Sequence, residues 1–287
     1  MNMKISTEIS SAAYKVGEER AIEYVAKAGF DAYDFSMFDM CPFDWGRGDF
    51  AEHFGHPLAG SDYLSFARRL KKVADDCGII CNQSHAPFPT WCEKIEKYIY
   101  RAIECTAEAG GEICIVHPDT RLSTGENIEL YSRMLEFAKD VGVKIACENM
   151  WGWDFQNNCP CPASCSKSED FLAVLNGVGD PYLVACLDIG HAEIPGSGDG
   201  AVNMIYALGD HLKALHIHDT DRYHDSHQIP FSMNIDFFFV AKALKNIGYS
   251  GYLTLEADSY LSHFSPEDTY KGVCDLAASV KRIADMF

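Results

Sequence analysis

Basic residues are scarce in this chain relative to acidic ones. The 287 residues include 24 Lys and Arg against 42 Asp and Glu, which gives a formal net charge of -18. A field of this sign repels phosphate backbones and anionic membrane surfaces. The densest basic group, Arg68, Arg69, Lys71 and Lys72, falls on one predicted helix. We therefore expect neither nucleic acid nor a membrane as a partner.

Long apolar segments are also missing. The chain contains no run of about eighteen apolar residues, and residues 1–6 lack the apolar region of a signal peptide. It has no Gly-x-Gly-x-x-Gly or Walker-type motif, so we expect no nucleotide cofactor. Twelve Cys without an export signal predict thiols rather than disulfides. We expect a soluble, cytoplasmic protein and leave open whether it forms a homo-oligomer.

Short apolar runs alternate with segments of helical periodicity, a pattern typical of parallel βα units. The eight predicted strands span residues 4–6, 31–37, 79–84, 113–116, 143–147, 183–187, 213–215 and 251–255. The predicted helices span residues 18–27, 62–77, 94–109, 128–141, 169–176, 202–208, 237–247 and 266–286. Eight such units predict a single (β/α)8 TIM-barrel domain over residues 1–287, with the active site at the carboxyl ends of the strands. An open doubly wound sheet is the alternative.

Two long connections interrupt this alternation. Residues 40–60 are rich in aromatic residues and Gly, and their length is typical of a lid or specificity loop. The polar loop 154–168 carries three thiols, Cys159, Cys161 and Cys165. Their spacing departs from paired Cys-x-x-Cys and no fourth ligand is evident, so a flexible loop near the barrel mouth is favoured over a second zinc or iron–sulfur site.

Residues that bind metals or move protons stand at the ends of predicted strands three to eight. They are His85, His117, Glu148, Asp188, His216 and Glu256. Carboxylates that meet on one face of a barrel repel one another, and a divalent cation removes that conflict. Three oxygen anions and one imidazole nitrogen suit Mn, Zn, Co or Mg. We therefore predict a metal site formed by Glu148, Asp188, His216 and Glu256.

The order and the strand-end placement of several short motifs carry a family resemblance. The motifs are Ser84-His85-Ala86-Pro87, Val116-His117-Pro118, Cys147-Glu148-Asn149, Leu187-Asp188-Ile189-Gly190-His191, His216-Ile217-His218-Asp219 and Leu255-Glu256. Together they resemble the xylose isomerase-like barrel superfamily, in particular its sugar-phosphate isomerase/epimerase group. The resemblance covers nearly the whole chain and implies a metal-dependent enzyme with a small sugar as its substrate.

One branch of the superfamily, the ketose 3-epimerases, implies roles for individual residues. Its metal ligands match the four residues predicted above, and Glu148 and Glu256 would remove and return a proton. Its sugar-contacting residues match Asp154, His191 and Arg222. We expect His85, His117 and His218 to contact the substrate as well. Five aromatic residues could line the sugar pocket: Phe38, Trp45, Phe88, Trp151 and Trp153.

A second branch, the apurinic/apyrimidinic endonucleases, resembles the chain at nine ligands of a trinuclear zinc site. The nine are His85, His117, Glu148, Asp188, His191, His216, Asp225, His227 and Glu256. On this alternative Asp225 and His227 are additional metal ligands. The acidic charge argues against it, and residues 230–236 replace the Gly-Glu-Gly-like turn that this branch carries.

The leading functional hypothesis is a divalent-metal-dependent isomerase or epimerase. It would transfer a proton next to the carbonyl of a ketose, a polyol-derived ketone or a sugar phosphate. The alternatives are an endonuclease-like zinc phosphodiesterase and a sugar-binding barrel without activity.

Overall fold

The computed structural model describes residues 3–51 and 55–287. Residues 1 and 2, and residues 52–54 of the predicted insertion, lie outside the described residues. Eight parallel strands confirm the predicted (β/α)8 TIM barrel. The strands are β1 Lys4–Glu8, β2 Ala32–Ser36, β3 Ile80–His85, β4 Ile113–Val116, β5 Lys144–Glu148, β6 Leu183–Asp188, β7 Leu212–His216 and β8 Tyr252–Leu255.

Each strand pairs with its neighbour in chain order, and β1 pairs with both β2 and β8. A parallel bridge between Ile217, just after β7, and Leu255 of β8 closes the ring. Two backbone hydrogen bonds support this bridge, from Ile217 to Thr254 and from Glu256 to Ile217. The closed ring excludes the open-sheet alternative.

The helices cover the outside of the barrel, and a large apolar core lies between them and the strands. The helices are α1 Ser10–Val16, α2 Glu18–Ala28, α3 Tyr63–Cys77, α4 Glu96–Glu108, α5 Thr124–Asp140, α6 Ser168–Val178, α7 Ile189–Ala192, α8 Ala201–Leu208, α9 Phe237–Asn246, α10 Asp258–Leu261 and α11 Thr269–Ala284. Among the described residues, no helix combines the length and the hydropathy needed to cross a bilayer.

Helix boundaries follow local capping signals. A capping box formed by Ser123 and Glu126 starts α5 four residues before the predicted position. Helix α2 ends at Gly29, whose φ of 90° is a left-handed conformation that favours glycine. Helices α1, α7 and α10 lie outside the predicted helices because four to seven residues are too few to show a helical period.

The two long connections each contain a short antiparallel hairpin. In the insertion, Phe43–Asp44 pairs with Asp49–Phe50. In the polar loop, Gly152–Asp154 pairs with Cys159–Cys161. Strands of two or three residues give no readable alternation, so the sequence indicates only loops there.

The inside of the barrel is divided between an apolar and a polar part. Ile115, Ala146, Val184, Cys186 and Ala214 form a small apolar cluster. Buried polar side chains lie on β1, β2, β3 and β8, where hydrogen bonds join both neighbouring and non-neighbouring strands. The buried groups that make them include Ser6, Asp34, Asn82, Gln83 and Thr254.

Candidate metal centre and active site

Four buried side chains from four successive strands meet at the carboxyl end of the barrel. They are Glu148 at the end of β5, Asp188 at the end of β6, His216 at the end of β7 and Glu256 just after β8. One ligand atom of each lies within 4.8 Å of the others. The register explains the proximity of two of them, because Asp188 and His216 are direct partners across β6 and β7. The structure therefore brings together all four residues of the predicted metal site.

The imidazole of His216 is at the centre of this group. Its Nδ1 atom lies 2.7 Å from Oε1 of Glu148 and 3.3 Å from Oε2 of Glu256. Its Nε2 atom lies 3.2 Å from Oδ2 of Asp34, a residue of β2. The ring therefore presents Nδ1 to the cluster and Nε2 to the barrel interior.

The two glutamates differ in their proton affinity. Burial raises the pKa of Glu256 to about 8, and the negative charge of Glu148 adds to this shift against the charge of His216. Burial also disfavours the charged form of Glu148. The charge of His216, its hydrogen bond to Oε1 and the proximity of His117 nevertheless hold the pKa of Glu148 well below its usual value. Carboxyl groups with pKa values pushed apart are suited to acid and base roles.

Two oxygen atoms of the cluster support the fit of a cation. Oδ2 of Asp188 is buried and accepts no hydrogen bond from the described residues. Oε2 of Glu148 also makes no well-directed hydrogen bond in that part of the chain, although Nε2 of His117 lies 3.2 Å away. An unsatisfied buried carboxylate is costly, and a divalent ion held by three carboxylates and one imidazole would satisfy both atoms.

His85 and His117 form a second group with Glu148. Their Nε2 atoms are 3.0 Å apart and lie 3.4 Å and 3.2 Å from Oε2 of Glu148. Nδ1 of His85 donates to the carbonyl of Ala86, which leaves Nε2 available toward the group. Burial lowers the pKa of His117 to about 4, which favours the neutral ring that a metal ion binds.

A third group consists of His191, His218, Asp225 and His227. Nε2 of His191 and Nε2 of His227 lie 3.3 Å and 3.1 Å from Oδ2 of Asp225. Their Nδ1 atoms donate to the carbonyls of Asn149 and Glu256, respectively. This arrangement, in which a backbone carbonyl fixes the ring and Nε2 faces a carboxylate, is the one that metal-binding histidines adopt.

His218 is the fully buried member of this group. Its Nε2 lies 3.1 Å from Oδ1 of Asp188, and its ring stacks on His227 with centroids 4.0 Å apart. The space for this ring depends on Gly190 of α7, because a Cβ atom there would stand 2.0 Å from Cε1 of His218. His218 therefore supports Asp188 and His227, the two candidate ligands that it contacts.

A cavity of about 380 Å³ opens above the three groups. Four of the five predicted aromatic residues line it: Phe38, Trp45, Phe88 and Trp151. Trp153 instead packs edge-on against Tyr223 and stacks over His224. The cavity also reaches His85, His117, His191, Asp225 and His227.

Asp154 and Arg222 are not among the residues that line this cavity. The exposed carboxylate of Asp154 accepts hydrogen bonds from the backbone of Gln156 and Asn157 in the hairpin turn. Arg222 is half exposed and pairs with Glu193, with Nη2 3.1 Å from Oε2. Their contacts with a substrate stay predictions.

Several residues of the site are not predicted from the sequence, and Trp91 and Asp34 are two of them. Trp91 lines the cavity, and the guanidinium of Arg121 stacks over its ring at 3.6 Å. The sequence places Trp91 in a loop with no motif around it. Asp34 reaches His216 from within β2. A carboxylate inside an otherwise apolar strand is the signal that could have identified it.

The three thiols of the polar loop separate in the structure. Cys165 is buried, with its Sγ atom 3.6 Å from that of Cys147 on β5. Cys159 and Cys161 lie on the second strand of the hairpin and are half-buried. This placement favours the loop interpretation, in which Cys165 anchors the segment to the barrel.

Residues 22–279 match the family model described as xylose isomerase-like TIM barrel. The chain belongs to this family. The match confirms the resemblance carried by the strand-end motifs, and it spans all of the strands except β1.

The chain is similar to proteins with and without a named activity. An uncharacterised protein of Methanocaldococcus jannaschii is 29% identical over 190 residues, which cover 60% of this chain and 62% of that protein, less than two thirds of its length. L-ribulose 3-epimerase of Methylomonas sp. (strain DH-1) is 24% identical over 256 residues, which cover 85% of this chain and 79% of that protein. A solved D-tagatose 3-epimerase-like protein superposes with a TM-score of 0.70 at 23% identity over 99% of both chains. The superposition on the solved structure shows that the barrel fold is shared over nearly the whole chain.

Proposed function

We propose that this protein is a divalent-metal-dependent sugar isomerase or epimerase. It transfers a proton at a carbon next to the carbonyl of a ketose, a polyol-derived ketone or a sugar phosphate. The observation that carries the proposal is the convergence of Glu148, Asp188, His216 and Glu256 beneath a cavity with aromatic walls. The names of the epimerase relatives support the same reaction class.

The four converging residues would hold the metal ion, of which Mn, Zn, Co and Mg are candidates. When bound, the ion supplies positive charge for the oxygen anion that develops beside the reacting carbon. Its charge would also lower the pKa of Glu148 and Glu256, because a nearby cation favours the charged form of a carboxyl group.

Glu148 and Glu256 would carry the proton. One carboxylate removes the proton from the carbon beside the carbonyl, and the electron pair moves into the carbonyl oxygen. If the other carboxylate, protonated, returns a proton to the opposite side of the same carbon, the carbon is epimerised. If one carboxylate instead returns the proton to the former carbonyl carbon, and the hydroxyl proton of the neighbouring carbon passes to the former carbonyl oxygen, the product is the aldose or ketose isomer.

The remaining polar residues would orient the substrate. His85, His117 and His191 line the cavity and can bond sugar hydroxyl groups. Phe88 and Trp151 offer apolar faces for the carbon skeleton. The roles of Asp154, Arg222 and His218 in substrate binding are proposals from the resemblance alone.

Isotope exchange is the most direct test of the reaction class. The protein would be stripped with a chelator, reloaded separately with Mn, Co, Mg or Zn, and incubated in deuterated water with a panel of ketoses, aldoses and inososes. Deuterium incorporated at carbon beside the carbonyl, seen by NMR only in metal-loaded protein, is the expected result. Glu169→Gln, an exposed position on α6, is a control for carboxyl loss.

The absence of exchange with every sugar and every metal would overturn the proposed activity. Binding of a sugar without exchange would support the inactive sugar-binding barrel instead.

One observation favours a second candidate, a zinc phosphodiesterase related to the apurinic/apyrimidinic endonucleases. The groups around His85 and His117 and around His191, Asp225 and His227 place further ligand atoms beside the first four. The net charge of -18 opposes a nucleic-acid substrate. Elemental analysis separates the candidates, because one ion per chain supports sugar chemistry and three ions with cleavage of abasic DNA support phosphodiesterase chemistry.

A further inference from the structure

Asp34 is a fully buried carboxylate in the middle of β2. The inside of a TIM barrel is normally filled with branched apolar side chains. A buried carboxylate is strongly destabilising unless it is paired and hydrogen-bonded. The position of Asp34 therefore requires a partner that benefits from its charge.

The partners of Asp34 connect it to the metal site. Oδ2 accepts from Nε2 of Gln83 at 2.8 Å and lies 3.2 Å from Nε2 of His216. The same Nε2 of Gln83 lies 3.2 Å from the carbonyl of Leu215, the residue before His216. Gln83 thus holds the carboxylate and the end of β7 in one arrangement.

The orientation of His216 differs from that of three other histidines in the site. His85, His191 and His227 each donate from Nδ1 to a backbone carbonyl. His216 instead turns Nδ1 toward Glu148 and directs Nε2 toward a side-chain carboxylate, Asp34. A carboxylate that accepts from the distal nitrogen of a metal-binding imidazole fixes its tautomer and increases its basicity.

We propose that Asp34 is the positioning residue for His216. It accepts the proton on Nε2, so that the lone pair of Nδ1 points at the metal site between Glu148 and Glu256. This role rests on the proposed metal-dependent function, since it concerns the ligand that the ion would use. Asp34 touches neither the cavity nor a substrate, so it acts only through His216.

The first test compares zinc binding by the wild-type protein and by two variants. Asp34→Asn keeps the shape of the side chain and removes its charge. Ser6→Ala removes a fully buried hydroxyl that bonds Asn82 in the same polar region and contacts neither Asp34, Gln83 nor His216 through a hydrogen bond. Chelator competition gives the zinc dissociation constant, and urea unfolding gives the stability of each metal-free protein.

We expect Asp34→Asn to weaken zinc binding on the order of 10- to 100-fold, the usual effect of losing such a partner. We expect Ser6→Ala to lower stability, because it leaves the buried Oδ1 of Asn82 without this donor, and to leave the zinc dissociation constant unchanged. Equal zinc affinity of Asp34→Asn and wild type would overturn the role of Asp34. An equal weakening by both variants would also overturn it, because a general loss of packing would then be the cause.

The second test needs no variant of Asp34. In zinc-loaded wild-type protein with 15N-labelled histidine, we expect NMR to show His216 protonated on Nε2 and bound through Nδ1. Zinc bound through Nε2, or a proton on Nδ1, would contradict the assignment. If the wild-type protein binds no divalent ion, the proposed function fails first. If it binds zinc but these results are not obtained, only the role of Asp34 fails.

Discussion

Nδ1 of His216 lies 2.7 Å from Oε1 of Glu148 at the carboxyl end of the barrel. In the metal-free protein this contact pairs a buried imidazolium with a buried carboxylate, and it leaves Glu256 with the higher pKa of the two glutamates. A cation bound at this point would replace the imidazolium charge as the partner of both glutamates. On the proposed function, metal binding and proton transfer would therefore both involve this contact.

Glu256→Gln should abolish most turnover. The amide cannot remove or return a proton, and loss of a general acid or base usually lowers rates about 10²- to 10⁴-fold. The measurement is the initial rate of exchange or conversion on the substrate found by the isotope panel, at saturating metal. Bound metal is quantified in parallel to separate lost chemistry from lost binding. Turnover equal to that of the Glu169→Gln control would contradict the acid/base assignment.

The stability of the metal-free protein should depend on pH through Glu256. Its pKa is raised to about 8 in the folded state from a usual value of 4.5. A raised carboxyl pKa contributes stability that is present below the unfolded value and is lost as the pH rises through the folded value. The wild-type protein should therefore lose stability between about pH 5 and about pH 9 relative to Glu256→Gln, which does not titrate there.

Thermal unfolding of both chelated proteins at the two pH values checks this expectation. The raised pKa values of His191 and His227 also affect stability in this range. Those histidines are present in both proteins, so their direct contribution largely cancels in the difference between the melting temperatures. A difference that does not change with pH would contradict the predicted titration of Glu256. With saturating metal, the wild-type protein should be more stable than Glu256→Gln at both pH values, because the variant lacks one of the proposed ligands.

The barrel and the convergence of the four candidate metal ligands are predictable from the sequence because both depend on position along a strand. A βα alternation is visible without knowledge of contacts, and a parallel barrel brings every strand end to one face. Glu148, Asp188, His216 and Glu256 therefore meet as predicted. The strand register need not be known to predict this meeting, because each of the four residues stands at or just after the end of the strand of its own βα unit.

Other features depend on contacts that a single chain does not display. Asp34 lies within its strand, so its partner on β7 becomes apparent only once the closed ring is known. The turn that carries Asp154 and the loop that carries Arg222 direct these residues outside the cavity lining through local hydrogen bonds and an ion pair. Spacing from the nearest strand end does not determine the direction of a loop side chain.

Gly190→Ala should destabilise the site around His218. The new Cβ atom would stand 2.0 Å from Cε1 and 2.3 Å from Nε2 of a ring that packs beneath Asp188 and His227. Overpacking of this kind usually costs about 1–3 kcal/mol. Urea unfolding of metal-free protein should show this loss. Gly125→Ala, which meets open space in the first turn of α5, is the matched control and should be neutral or slightly stabilising. Equal stability of both variants would show that His218 moves freely.

Trp151→Ala should weaken substrate binding, whereas Trp153→Ala should not. Trp151 lines the cavity, and an aromatic face lost from a sugar contact is worth about 1 kcal/mol, or roughly fivefold in KM. Trp153 lies two residues away and packs against Tyr223 and His224. Its loss should affect the stability of the loop and leave KM near the wild-type value. Steady-state kinetics on the substrate identified by isotope exchange measure both effects. A larger rise in KM for Trp153→Ala than for Trp151→Ala would contradict this prediction, because it would mean that Trp153 of the hairpin contacts the sugar.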